Sequence, residues 1–178
     1  FYFDIRKDVL YCDPKNSEKR KNCITVLNII LESLLKWFAP ILSFTTEEIF
    51  TLIDRQRKSI HLEKFIKIPL NFYNKNLNDK WIDLKKIRDV CNISIEAKRA
   101  SKEIGSSLEA NLTISLNEKL FKISNNIDFA ELCITSDAIM KKDNVDEIIA
   151  VTKKAEGIKC PVCWKINKVE CKRHPKQV

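Results

Sequence analysis

The chain has 178 residues, 44% of them hydrophobic, enough for one large domain or for a domain with a small appendage. Its 32 lysines and arginines against 24 acidic residues give a net charge of +8. That suits an anionic partner such as nucleic acid or a membrane surface, although the excess of Lys, Ile and Asn also matches an AT-rich genome. The only glycines, Gly105 and Gly157, allow no glycine-rich phosphate cradle, and the only histidines, His61 and His174, form no pair at catalytic spacing.

No stretch approaches a membrane span, and FYFDIRKD lacks the character of a secretory leader, so a cytoplasmic protein without membrane contact is predicted. The single methionine is Met140 and the first residues read as an apolar helix face, which predicts a piece of something larger. Any reaction centre of the parent is then expected outside this piece. Of seven cysteines, Cys12, Cys23, Cys91 and Cys133 are scattered through apolar contexts, the pattern of small buried side chains in a reducing compartment.

In chain order, the first half reads as helices. After the turn at Asp13-Pro14, residues Lys15 to Phe38 carry Ile24, Leu27, Leu31, Leu34 and Phe38 at three- and four-residue steps. Val26, Ile30, Leu35 and Trp37 widen this stripe until the later turns are apolar nearly all round, which predicts burial among neighbours. The basic start, KNSEKRKN, is predicted to face solvent. Ala39-Pro40 breaks the helix, and Thr45 with Glu48 forms a capping-box pattern ahead of a short helix through Ile53. Ser59 to Phe65 reads as extended, and Pro69 to Asn78 as a loop. A second long helix is predicted from Asp79 to Ile104, with Trp81, Leu84, Ile87, Cys91 and Ile95 inward, its basic residues largely outward, and Gly105 as its stop. Strands are predicted at Asn111 to Leu116, Leu132 to Ile139 and Val145 to Lys153, with a short helix at Ile127 to Leu132.

The tail carries C-x2-C-x7-C-x2-H: Cys160, Cys163, Cys171 and His174. Two residues between paired ligands form a tight knuckle whose donors converge on one tetrahedral ion, and thiolates with imidazole select zinc. No open coordination position is evident, so one structural Zn2+ is the favoured reading. A redox CxxC pair and chance clustering with His174 unused are the alternatives, the former lacking the βαβ context of such motifs. Trp164 is either a stacking platform for a base or a cover for its own small metal core, the second being favoured.

Five stretches in this order, LYCD (Leu10 to Asp13), APILSFTTEEIF (Ala39 to Phe50), SIHLEKF (Ser59 to Phe65), KEIGSSLEA (Lys102 to Ala110) and KAEGIKCPVCWK (Lys154 to Lys165), resemble the C-terminal part of bacterial isoleucyl-tRNA synthetases. APILSFTTEEIF and IGSSLEA are shared with the related valine and leucine enzymes, and CPVCW narrows the resemblance to isoleucine. The resemblance implies a mainly α fold: a helical bundle of the class I anticodon-binding type at 1–104, incomplete at its start, then a small α/β unit at 105–153 and a zinc-binding tail at 154–178. It further implies that the catalytic domain, with its HIGH and KMSKS signatures and its use of ATP and Mg2+, and the editing domain lie upstream in a monomeric parent. This piece would hold tRNA-Ile by its anticodon stem and loop. The family's terminal metal site uses four cysteines, so His174 is a departure.

RNA recognition uses splayed bases and cations that hold phosphates. The candidates are Lys19, Arg20 and Lys21 at the start of the first long helix, Lys98, Arg99 and Lys102 near the end of the second, and Lys165, Lys168, Lys172 and Arg173 around the metal, with Trp164. Each has the alternative of a solvated charge; His61 is given no role. Two rival functions stand beside tRNA binding. One is a zinc-ribbon DNA-binding module, similar in its tail to formamidopyrimidine-DNA glycosylases; the other is a zinc-stabilised protein-interaction module with broad apolar faces.

Overall fold

The computed structural model describes residues 1–53, 56 and 58–175. Two compact units divide the chain: Val9–Tyr73, and Phe1–Asp8 together with Asn74–Val178. Helix α1, Tyr2–Cys12, contributes to both.

In the first unit, α2 (Glu18–Phe38) starts where the Ser17 hydroxyl accepts the Arg20 amide, three residues later than the turn at Pro14 suggested. It pairs with α3 (Ser43–Ile53), and Leu35, Ala39, Phe50 and Ile60 form a small core. Among the described residues α2 packs chiefly on α3 and on a 3-10 turn at Ile60–Leu62, and part of its broad apolar surface stays exposed. Trp37 is 51% and Phe38 44% exposed, against the burial that the sequence predicts for this helix.

Thr45 is no cap either, because α3 begins two residues earlier. The carboxylate that acts here is Glu47, which accepts from the Ser59 hydroxyl and the Ile60 amide, both at 2.9 Å. These bonds bend 59–62 into a turn where an extended run was expected. Replacing Glu47 with alanine strands the Ile60 amide and is expected to cost about 1 to 3 kcal/mol, measured as a lower urea midpoint. In the same unit, the ammonium of the buried Lys36 lies 2.8 Å from Glu32 and 3.3 Å from Glu63. Its hydrogen bond to Glu32 outweighs burial and raises its pKa above the ordinary lysine value.

The second unit is organised by α4, Lys75–Ala100, capped by the Asn74 side chain on the Leu77 amide. It therefore begins inside the stretch expected to be a loop. Leu84, Ile87, Cys91 and Ile95 recur at three- and four-residue steps and are all buried, as predicted; Trp81 is half-buried, edge-on to Phe1. The helix stops at Ala100, before Gly105. Lys102 takes the left-handed conformation (φ 59°), its amide bonds to Arg99 O, and the Glu103 amide reaches back to Lys98 O, the paired bonds of a Schellman stop. Ending there turns Ile104 into the core, where it is 3% exposed.

Strand β1 (Ala110–Leu116) is central between β2 (Asp137–Lys142), parallel to it, and β3 (Ile149–Lys154), antiparallel. Ala110, Leu112, Ile114 and Leu116 are buried on one face with α4, Phe129, Leu132 and Cys133. The crossover from β1 to β2 carries α5 (Glu118–Ile123), which the sequence reading missed, and α6 (Phe129–Leu132). β2 and β3 each start later than predicted; ahead of β2, Thr135 and Ser136 are buried in a turn. Cys23, Cys91 and Cys133 are buried, Cys12 is half-buried, and all are thiols. The Cys133 thiol beside it, together with burial, pushes the Cys91 thiol far above its usual range. Helices predominate, a small sheet follows, and a Cys/His cluster lies near the C-terminus, matching the predicted fold class.

Candidate metal centre

The tail is built on a hairpin of two-residue strands, β4 (Ile158–Lys159) and β5 (Ile166–Asn167). Gly157 precedes β4 at φ 135°, and a β-carbon there would stand 2.2 Å from the Asn167 carbonyl oxygen, so the close approach of the two strands requires glycine. Between the strands, Cys160 and Cys163 occupy a tight turn closed by the Cys160 amide on Lys165 O (2.9 Å) and the Trp164 amide on Cys160 O (3.0 Å). A second turn, with the His174 amide on Cys171 O at 3.0 Å, presents Cys171 and His174.

The four ligand atoms lie within 4.8 Å of one another. Cys160 Sγ is 3.5 Å and Cys171 Sγ 3.6 Å from His174 Nδ1, and Cys163 Sγ is 3.9 Å from Cys171 Sγ. A tetrahedral zinc with ordinary bond lengths has S–S edges of about 3.8 Å and S–N edges of about 3.5 Å, and these three separations match such edges. Burial opposes charge on Cys160, but the Cys163 and Val162 amides, with the Cys163 thiol and His174, outweigh it and lower the thiol to about 6. Cys163 is pushed up to about 12, first by burial and then by the neighbouring Cys160 and Cys171. Burial and repulsion from its neighbours thus resist negative charge on Cys163, an opposition that a divalent cation removes.

Around this centre Lys168 and Lys172 are exposed and Lys165 is half-buried. Trp164 is 59% exposed, with the Lys159 ammonium 5.9 Å from the ring centroid; the indole is not packed away as a lid. It also stands at φ 62°, a conformation that a bulky residue adopts at a cost of roughly 1 to 3 kcal/mol. Arg173 is turned inward: Nη1 donates to Asp8 Oδ2 at 2.6 Å and Nη2 to the Asp8 carbonyl at 3.1 Å.

The other cations form separate groups. In the Val9–Tyr73 unit, Lys19 and Lys21 are exposed at the start of α2, while Arg20 is half-buried and donates to Asp13 O at 3.3 Å. At the end of α4, Lys98 engages Glu103 at 2.8 Å, holding that carboxyl below its usual range, and Arg99 engages Glu96 at 2.7 Å; Lys102 is exposed.

Residues 1–114 match the family described as the anticodon-binding domain of tRNA ligase. The chain belongs to this family. Along 98% of its length, the anticodon-binding chain is 72% identical to the isoleucine-tRNA ligase of Pelagibacter ubique (strain HTCC1062), of which it spans 19%. It is 40% identical to that of Bartonella henselae and 38% identical to that of Agrobacterium fabrum, over 93% of the chain and 18% of each relative. The resemblance carried by the five sequence stretches is therefore borne out.

Sequence reasoning missed the residues by which this anticodon-binding chain seats its tail. Ser136 donates its hydroxyl to Leu108 O and accepts the Ile166 amide at 2.6 Å, and Asp8 receives Arg173. Nothing in the residues around Ser136 advertises that role. Asp4 and Asp8, one helical turn apart, were a legible signal: Arg88 stands 3.7 Å from the first as Arg173 does at 2.6 Å from the second. Among the described residues, no helix is long and apolar enough to cross a membrane.

Proposed function

We propose that this chain is the tRNA-holding part of an isoleucine-tRNA ligase, gripping tRNA-Ile at its anticodon stem and loop. Other parts of a monomeric, cytoplasmic parent would join isoleucine to that tRNA, with ATP and Mg2+, and edit the product. The observation that carries the reading is the family match over residues 1–114 on a chain 72% identical to such a ligase along nearly all its length.

In this reading 1–104 serves as the anticodon-binding segment, 105–153 as a connecting unit and 154–178 as the metal-bearing tail. Cys160, Cys163, Cys171 and His174 hold one zinc, whose chemistry is to cross-link two turns into a rigid knuckle. The exposed Lys168 and Lys172, with Lys165, hold phosphates, and Trp164 offers an exposed face on which a base stacks. Lys19, Arg20 and Lys21, and Lys98, Arg99 and Lys102, are secondary phosphate contacts. Of these, Lys98 and Arg99 are engaged by Glu103 and Glu96 and are the least available.

Fluorescence anisotropy of the chain with labelled tRNA-Ile, competed by tRNA-Val and duplex DNA at near-physiological salt, tests the reading. A preference for tRNA-Ile supports it; equal, salt-sensitive competition by all three reduces the chain to a generic basic surface, and preferential binding of duplex DNA favours the glycosylase-like alternative. Replacing Lys168 and Lys172 with alanine is expected to flatten the slope of log K against log salt by about 1 to 2. An unchanged slope would return both lysines to solvent.

A second reading rests on Phe44 and Ile41, 93% and 75% exposed in the Val9–Tyr73 unit. Such apolar surface suits docking against upstream catalytic or editing domains of a longer chain. Aggregation of this chain alone, relieved by adding those domains, would support that role; a monodisperse chain indifferent to them would remove it.

A further inference from the structure

Arg173 lies between two metal ligands, Cys171 and His174, yet its guanidinium is spent on α1. Two nitrogens engage Asp8, one on the carboxylate and one on the backbone carbonyl, a pair with side chains 28% and 23% exposed. Asp8 is the last residue of α1 in the compact unit that also holds the knuckle. The same helix is gripped twice more, by Arg88 of α4 at Asp4 and through its own Arg6 on Glu131 of α6 at 2.6 Å. On the other side of the knuckle, the Ile166 amide bonds to Ser136, which is anchored on Leu108. The knuckle is therefore seated by polar bonds at its second turn and at β5.

We propose that Arg173 is a positioning residue that couples metal loading to α1. With Cys171 and His174 fixed on one ion, the turn that carries Arg173 has a single conformation and the guanidinium meets Asp8 without further ordering cost. Without the ion, that turn is free to sample others and the grip on Asp8 weakens. Coupling is reciprocal, so Asp8 also favours the metal-loaded turn. Arg173 thereby fixes the direction in which Lys168, Lys172 and Trp164 are presented. This last consequence rests on the RNA reading; the coupling itself does not.

The zinc-loaded chain tests this without RNA. Arg173→Gln and Asp8→Asn are each expected to accelerate zinc transfer to a colorimetric chelator about five- to tenfold, and to raise hydrogen exchange in peptides covering α1. The double variant should be no faster than the quicker single one, because both remove one interaction. Arg173→Lys, which keeps the charge but not the fork, should fall between, and it remains informative if Arg173→Gln fails to fold. Unchanged release and unchanged α1 exchange, or additive effects in the double variant, would overturn the coupling. With tRNA-Ile, Arg173→Gln should leave the salt slope unchanged, whereas a slope lowered by about 1 would make Arg173 a phosphate contact instead. If the chain binds no tRNA, the release and exchange measurements still decide.

Discussion

The unaltered chain is expected to hold about one zinc ion in reducing buffer, and a chain carrying Cys163→Ser to retain none, with its tail unfolded. Cys163 is 5% exposed and its sulfur faces that of Cys171 at 3.9 Å, so the substitution removes one corner of the tetrahedron and leaves the remaining donors without closure. The β4–β5 ladder pairs only Ile158 with Asn167 and Lys159 with Ile166, too short to stand by itself. Structural zinc supplies on the order of 10 kcal/mol to small sites of this kind, more than such a hairpin contributes. Metal content by colorimetric assay and protease sensitivity of the tail would measure the change. Retained stoichiometric zinc would show that Cys163 is not a ligand. The core around α4 is built from other side chains, and its far-UV signal should persist.

Phe129→Ala is expected to destabilise the second unit by about 3 to 5 kcal/mol. The ring is 2% exposed on α6, a helix of four residues that cannot persist on its own hydrogen bonds. It packs in the cluster that joins α4 to β1, so truncation opens a cavity and loosens the β1-to-β2 crossover together. Urea unfolding followed by circular dichroism would give the change; a loss below about 1 kcal/mol would mean the site collapses around the cavity and that α6 is held by something else.

The parts legible in the sequence were those written in local periodicity or fixed spacing. Leu84, Ile87, Cys91 and Ile95 repeat as one helical face and form one face of the core, because the helix places side chains three and four apart in register. The alternation of Ala110 to Leu116 matches a strand buried on one side. The Cys/His cluster was the most legible of all: two x2 pairs make two turns, and two turns bring four donors together.

Other features depended on contacts between distant residues. The left-handed residue that stops α4 is Lys102 and not Gly105, and the earlier stop leaves Ile104 in the core. Glu47 rather than Glu48 became the structural carboxylate once Ser59 and Ile60 were brought within its reach. Arg173 reads in the sequence as one more cation of a basic tail, and its engagement is decided by Asp8, 165 residues away. By itself, then, the sequence determined the helical face, the central strand, the Cys/His cluster and the family, since each is a local pattern. Tertiary structure decided which charges face solvent and which are spent within the chain, because a charge's use depends on the partner that folding brings to it.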